Sequence, residues 1–524
     1  MGPVVQTQMT KGAVIGNRVL RNVISNWISK VLWLCSGFLL IPFILDRVGT
    51  VQFGLWALAN SVMSYGLLLD FGIGWAVIKY VAEFKARGRA EDAQALVATA
   101  LRLYSWLGLA ALVLSLAVAP LFPRLFNVPV DLQSEAIWVM LLMGVGLATS
   151  IPCTITTSIL RGLQRYDVVS LLASVATLLS AIGTVLVLIL GGGLLGIVAV
   201  SVAVMIVMQI PSISFIYRIA PDVNIGWRGA RHEWVRTVMS FGSWLFVMDV
   251  ATLMQTKVDV LVIGAFLPIS SVTPYALCRR LSEIGQIVSD QFIKVMLPLA
   301  AELKADDDMV RVRELYVTGT RLTVALFLPI GCMFSVLARP LLTLWVGAGY
   351  ADYARLVPIL VLATLLNTSQ WTAATILQGI GRQRPLAIAS ACGAIANAGL
   401  SIILVRFFGL EGVAVSALIA AGVVCMGFVM PYAMRLMRVG ALEVLKGVLL
   451  PAVLPLIPTL VSIYAVKSAI EAHSLFTLAI VAGVGLATYW MMYLWLSASK
   501  IERQTCSGFA VSAWHYAETL LRRS

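Results

Sequence analysis

RGLQRYDVVSLLASVATLLSAIGTVLVLILGGGLLGIVAVSVAVMIVMQIPSISFIYR, residues 161–218, is two apolar runs joined by a glycine turn. Arg161 and Arg165 stand at one end and Arg218 at the other, and no charged side chain interrupts between Asp167 and Arg218. A helix needs about 20 apolar residues to cross hydrocarbon, so the stretch predicts two membrane spans, near 168–190 and 194–217. Both basic ends then lie on one side of the bilayer, and Gly191-Gly192-Gly193 lies on the other.

The same reading extends over the whole chain. Spans are predicted near 23–45, 52–80, 97–122, 136–160, 168–190 and 194–217, and again near 238–266, 273–299, 316–338, 355–379, 386–405 and 411–434. Two more, near 447–466 and 475–497, bring the total to fourteen, with Pro451, Pro455 and Pro458 kinking the first of that pair. About 25 of the 38 Lys and Arg fall at the N-terminus, in every second connection or in the tail, and only about 6 in the alternate connections. Arg18, Arg21, Lys85, Arg87, Arg89, Arg161, Arg165, Arg228, Arg231, Arg236, Arg382, Arg384, Arg435 and Arg438 share one side, which the positive-inside rule makes cytoplasmic, and Lys11 precedes the first apolar stretch. An even number of spans puts both termini there. Trp345, Tyr350 and Tyr353 crowd one outer turn, as interfacial anchors would.

Composition excludes other classes. The chain has 524 residues, 60% hydrophobic and 12% charged, with mean hydropathy +0.93. A water-facing globule carries roughly 25% charged residues, so the solvent here is the bilayer. The net charge of +13 sits where helices leave the membrane, which points to anionic lipid and away from nucleic acid. Cys35, Cys153, Cys278, Cys332, Cys392, Cys425 and Cys506 are scattered without a C-x-x-C, and all but Cys506 lie in apolar segments, as small core residues. His232, His473 and His515 lie outside the spans, so no imidazole cluster offers a metal site. The N-terminus lacks a short apolar core with a cleavage site and reads as a start-transfer helix.

The chain repeats itself. Glu83-Phe84-Lys85 recurs as Glu302-Leu303-Lys304, and Leu55-Trp56-Ala57-Leu58 recurs loosely as Pro274-Tyr275-Ala276-Leu277. Ile159-Leu160-Arg161-Gly162-Leu163-Gln164-Arg165 matches Ile376-Leu377-Gln378-Gly379-Ile380-Gly381-Arg382, and Gly193-Leu194-Leu195-Gly196 matches Gly409-Leu410-Glu411-Gly412. Matches in order at nearly constant spacing predict two parallel six-helix copies. The organisation is then an N-terminal lobe over 1–218, a basic connection over 219–237, a second lobe over 238–436, an extra helix pair over 437–498 and a cytoplasmic tail over 499–524. In the tail, Phe509, Trp514, Ala517 and Leu521 with Arg522 and Arg523 could form an interfacial helix or a frayed end.

Arg47-Val48-Gly49, Phe53-Gly54-Leu55-Trp56-Ala57, Leu69-Asp70-Phe71-Gly72-Ile73-Gly74 and Tyr80-Val81-Ala82-Glu83 together resemble the first hairpin of the polysaccharide-transporter branch of the multidrug/oligosaccharidyl-lipid/polysaccharide superfamily. Leu160-Arg161-Gly162-Leu163-Gln164-Arg165-Tyr166-Asp167 is similar to the next signature of that branch, while Phe53 stands where the pattern more often has Tyr. The resemblance implies a flippase that moves undecaprenyl-pyrophosphate-linked oligosaccharide from the cytoplasmic to the outer leaflet of the cell membrane. It implies alternating access as a functional monomer, a proton or sodium gradient as the candidate drive, and a polysaccharide polymerase and glycosyltransferases as candidate partners. It also leaves open a lipid II flippase, which has fourteen spans, and a drug or small-molecule exporter, which usually has twelve. A membrane-embedded glycan polymerase or ligase would need a large outer loop or a clustered acid/base site, and neither is visible; no catalytic residue and no cofactor is expected.

Physics independently expects such a carrier to have a wet, cationic path for its head group, because a pyrophosphate and its sugars cannot cross about 30 Å of hydrocarbon unaided. Intramembrane charges by default face such a path. In the eighth span Arg279, Arg280, Glu283, Gln286, Asp290, Gln291 and Lys294 fall within about 140° of one helix face. Arg279, Arg280 and Lys294 are candidates for phosphate contact, and Glu283 and Asp290 for charge balance or titration. The competing reading keeps the arginines in the outer interface, with Glu283 and Asp290 paired locally to Arg280 and Lys294. In the seventh span, beside Asp249, Lys257 and Asp259 are two residues apart and cannot share a face, so one must look elsewhere. Lys257 either meets substrate or pairs with an acid of the eighth span. Arg102 and Arg321, early in the third and ninth spans, are further phosphate candidates, with snorkelling to the cytoplasmic interface the simpler role. Asp70 precedes Gly72 and Gly74, a pattern that predicts a locally broken helix, so Asp70 either binds a coupling Na+ or H+ or satisfies the break.

Two motifs are set aside. Gly191 to Gly196 fits G-x-G-x-x-G, but no strand precedes it. Asp306-Asp307-Asp308 lacks the Gly and Glu of a calcium loop and reads as a solvated connection.

Overall fold

The computed structural model describes residues 3–221, 225–469, 474–498 and 503. The expectations for the tail over 499–524, for Cys506, His473 and His515, and for the side chains of Lys11, Arg18 and Arg21 lie outside the described residues. Among the described residues all regular structure is helical.

Chain order is α1 (Pro3–Gly66), α2 (Ile73–Ala86), α3 (Ala90–Val118), α4 (Gln133–Gly162), α5 (Tyr166–Ile189), α6 (Gly193–Val207), α7 (Gln209–Ile219) and α8 (His232–Phe266). There follow α9 (Val272–Ala305), α10 (Met309–Val336), α11 (Ala338–Val346), α12 (Leu356–Gly379), α13 (Gln383–Gly422), α14 (Met430–Met437), α15 (Leu456–Ala469) and α16 (Leu475–Met492). Ten stretches among the described residues are long and apolar enough to cross a membrane. Two of them contain a glycine that leaves the helical region: Gly49 (φ 79°) in Ser25–Asp70 and Gly409 (φ 56°) in Gln383–Met437. Helices α8 and α9 are equally long but are not among the ten, and they carry most of the charges singled out above. As the prolines require, the helix before α15 stops at Val453 and restarts at Leu456.

The chain divides into two compact units, Met1–Ala276 and Leu277–Ser524. In the first, Val77, Val81 and Phe84 of α2, Leu96 and Val97 of α3, and Ile155 and Ile159 of α4 form one buried cluster. The Trp234 ring of α8 closes its end at 5.3 Å from Phe84. In the second, Met296 and Ala300 of α9, Val312 and Tyr316 of α10, and Ile376 and Leu377 of α12 form the corresponding cluster. Lipid tails are as apolar as Leu, so close helix approach relies on small residues. Gly108 of α3 fits against Ala148 and Pro152, and Gly319 of α10 fits against Met296.

The internal repeat is visible in backbone detail. After α2, Arg87 N donates to Glu83 O, Gly88 N to Lys85 O and Arg89 N to Phe84 O at 3.1, 3.3 and 2.9 Å. After α9, Asp306 N donates to Glu302 O, Asp307 N to Lys304 O and Asp308 N to Leu303 O at 3.1, 3.1 and 2.9 Å. Gly88 (φ 66°) and Asp307 (φ 56°) take the left-handed position of the same helix-ending turn. The matched turns after α4 and α12 place Gln164 (φ 59°) and Gly381 (φ 79°) likewise. A side chain at Gly162 would meet Ile78 O and Val81, and one at Gly379 would meet Leu297 O and Ala300, the equivalent positions of the other copy.

One anchoring expectation and one core expectation are corrected. Trp345 turns inward and is 4% exposed, because α11 packs its apolar face against its own unit, while Tyr353 stays at the surface. Cys35 and Cys392 are exposed on their helices, and Cys278 and Cys425 are the buried ones.

Candidate functional site

The first site is the break that Asp70-Phe71-Gly72-Ile73-Gly74 predicts. Helix α1 ends at Gly66, a 3-10 turn covers Leu67–Asp70, Phe71 (φ 47°) and Gly72 (φ 74°) are left-handed, and α2 starts at Ile73. The break turns the half-buried Asp70 carboxylate toward α3, where the fully buried Tyr104 hydroxyl donates to Oδ1. Backbone N–H groups of Gly72 and Gly74 also bond it, so the break supplies the donors that a membrane carboxylate needs. Gly74 leaves room in this cluster: a Cβ there would stand 3.2 Å from Ser158 Oγ and 3.3 Å from Tyr104 Oη. Helix α8 lies alongside, with the Phe71 and Phe246 rings 5.0 Å apart and Asp249 within electrostatic reach of Asp70.

Asp259 resolves the conflict between neighbours on α8. It is fully buried and accepts a 2.7 Å bond from the fully buried Tyr275 hydroxyl, while Lys257 is half-buried. Asp259 is thus the residue that looks to another helix. Thr273 adds a second tie in the same unit, donating to Thr50 O at 2.6 Å.

Helix α9 carries two faces. Ser282, Gly285, Ser289, Ile293, Met296 and Ala300 form the buried one, with Gly285 against the Phe327 ring of α10. Beside it, Arg280, Glu283, Gln286 and Asp290 remain partly exposed. Arg279 Nε bonds Glu283 Oε1 at 3.2 Å, and Arg280 lies within electrostatic reach of the same carboxylate. Lys294 Nζ bonds Asp290 Oδ2 at 2.6 Å, with 59% of the Lys294 side chain exposed. Local pairing therefore exists, with Arg279 as the bonded partner of Glu283, yet the ionic face is not sealed in dry packing. Arg102 is exposed and Arg321 is half-buried.

Tyr104 and Tyr275, the hydroxyl partners of the buried acids, escaped sequence reasoning. Each is a lone tyrosine in a span, and only the fold shows which acid it meets. No group of His, Cys, Asp and Glu able to hold a metal ion occurs among the described residues.

These features define a class, a polytopic helical membrane protein with the superfamily fold. An inward-facing multidrug resistance MATE family transporter of the MOP superfamily matches with TM-score 0.69 at 16% identity, covering 80% of this chain and 98% of that one. Lipid II flippase MurJ, in an inward closed conformation, matches with TM-score 0.69 at 15% identity, covering 90% of this chain and 97% of that one. Within that class, the family described as "Polysaccharide biosynthesis protein" matches residues 48–355, and the chain belongs to it. The uncharacterized membrane protein EpsK of Bacillus subtilis (strain 168) is 22% identical over 329 residues, which is 60% of this chain and 63% of EpsK.

Proposed function

We propose that this protein is a flippase carrying undecaprenyl-pyrophosphate-linked oligosaccharide from the cytoplasmic to the outer leaflet of the cell membrane by alternating access. The ionic face of α9 carries the reading. A 34-residue helix that keeps Arg279, Arg280, Glu283, Asp290 and Lys294 on one partly exposed face suits a charged head group better than lipid. The polyprenyl tail stays in hydrocarbon, so only pyrophosphate and sugar need a polar route. Membership of a polysaccharide biosynthesis family supports the cargo class.

The topology in this proposal is fourteen crossings with both termini cytoplasmic. Ser25–Asp70 and Gln383–Met437 each count twice, across Gly49 and Gly409, and α8 and α9 complete the set. Arg279, Arg280 and Lys294 meet phosphate, with Lys257, Arg102 and Arg321 as secondary cations and Glu283 and Asp290 as counter-charges. Asp70 binds the coupling Na+ or H+, with Asp249 and Asp259 balancing charge in the same unit. The protein acts as a monomer without catalysis, beside a polymerase and glycosyltransferases. Deleting the gene is expected to leave a lipid-linked sugar accumulating on the cytoplasmic face. Unchanged leaflet distribution together with new drug sensitivity would favour the exporter instead.

A further inference from the structure

A cavity of about 280 Å³ opens inside Met1–Ala276, between α1, α4 and α6. Its polar lining comes from Asn60 and Ser64 of α1, Ser150 of α4 and Ser201 of α6. Trp56 stands one helical turn before Asn60, so Trp56, Asn60 and Ser64 share a face. Among the described residues no Asp, Glu, Lys, Arg or His lines it, and three methionines complete an adaptable apolar wall.

The chemistry of this lining is selective. Ser64 Oγ donates to Asn60 O at 2.7 Å, Ser150 Oγ to Leu147 O at 2.9 Å and Ser201 Oγ to Ile197 O at 3.0 Å. Each hydroxyl has spent its one proton on its own helix and presents oxygen lone pairs to the cavity. Asn60 Nδ2 donates one proton to Trp56 O at 2.8 Å, which leaves its carbonyl oxygen as another acceptor beside one remaining N–H donor. Mostly acceptors, one N–H donor and no charge call for a neutral ligand rich in hydroxyls. The Trp56 ring, held edge-to-face by Phe53 at 5.5 Å between centroids, offers a flat apolar surface. A pyranose has both parts, a rim of hydroxyls and an apolar C–H face. The volume lies near the roughly 300 Å³ lower limit for ligand pockets, which suits one ring and not a whole oligosaccharide.

The repeat strengthens the assignment. In the register that pairs Trp56 with Tyr275, Asn60 and Ser64 correspond to Arg279 and Glu283 of α9. One copy presents a neutral face and the other an ionic face. We infer that the cavity of α1, α4 and α6 is a subsite for a single neutral sugar ring of the cargo; this rests on the flippase reading and deepens it.

The test uses the full-length protein in lipid nanodiscs and saturation-transfer difference NMR with neutral methyl pyranosides, a uronic acid being the charged comparison. Neutral pyranosides should receive saturation and the uronic acid far less. Losing one or two hydrogen bonds at about 1 kcal/mol each should weaken binding roughly fivefold to thirtyfold in Asn60→Leu and in the milder Ser150→Ala/Ser201→Ala double variant. Trp56→Leu should lose binding too, whereas Thr149→Ala, outside the cavity, should keep it. No transfer from any neutral pyranoside to wild type, or equal transfer in wild type and both polar variants, would overturn the subsite. Binding of sugar-free undecaprenyl pyrophosphate separates the two claims: it should be equal in wild type and Asn60→Leu. Its absence from wild type would count against the flippase reading and leave the sugar result standing alone.

Discussion

The α1–α2 pair and α9 occupy equivalent places in the two copies of the repeat, and they treat a membrane helix in opposite ways. In the first copy the helix breaks after Asp70, with left-handed Phe71 and Gly72, and Tyr104 bonds the carboxylate. In the second copy Ser289 and Thr323 stand where Asp70 and Tyr104 would be, Ile293 replaces Gly74, and α9 runs unbroken. There Ser289 Oγ shares its one proton between Gly285 O and Thr323 O, both at 3.2 Å, and the charges move to a face where i, i+4 pairing holds them. The repeat thus keeps its turns and its close-packed glycines while the polar chemistry is free to diverge. Asp70 takes backbone donors from a break in its helix, whereas the row of i, i+4 ion pairs on α9 requires an unbroken one.

The biggest loss should come from the ionic side of this contrast. Arg280→Ala combined with Lys294→Ala should lower translocation of lipid-linked oligosaccharide in proteoliposomes by about a hundredfold or more, since charge-assisted contacts are worth about 1.5–3 kcal/mol each. Ser61→Ala, at the position equivalent to Arg280, should stay within about threefold of wild type. Wild-type rates in the double variant, at normal expression, would remove the phosphate role. Next, Asp70→Asn should abolish the response of transport to an imposed Na+ or proton gradient, and Ser289→Ala should keep it. A gradient response surviving in Asp70→Asn would reduce Asp70 to a structural part of the break.

Smaller effects sharpen the equivalence of the copies. Gly162→Leu and Gly379→Leu force a side chain against Ile78 O and Leu297 O respectively, and each should cost about 1–3 kcal/mol, read as a lowered melting temperature in nanodiscs. A loss confined to one of them would contradict the shared packing. Smallest, Tyr104→Phe should cost about 0.6–1.7 kcal/mol, the range for hydrogen bonds between membrane helices.

Much of this was legible in the sequence, for physical reasons. Asp70-Phe71-Gly72-Ile73-Gly74 announces the break because glycine takes the left-handed region and an acid in hydrocarbon needs donors. The ionic face of α9 follows from helical periodicity alone, and the repeat from matched turns. What stayed hidden depends on tertiary partners. Nothing local tells that Tyr104 meets Asp70, that Tyr275 meets Asp259, or that Trp345 turns inward. The cavity lined by Asn60, Ser64, Ser150 and Ser201 joins three helices whose hydroxyls look unremarkable one at a time.

The account rests on movement of a lipid-linked sugar between leaflets. In proteoliposomes loaded with undecaprenyl-pyrophosphate-linked oligosaccharide, a membrane-impermeant glycosidase should gain access to sugar that begins in the inner leaflet when wild-type protein is present. It should not do so with the Arg280→Ala/Lys294→Ala variant. Equal access with wild-type protein and in protein-free liposomes would contradict the account.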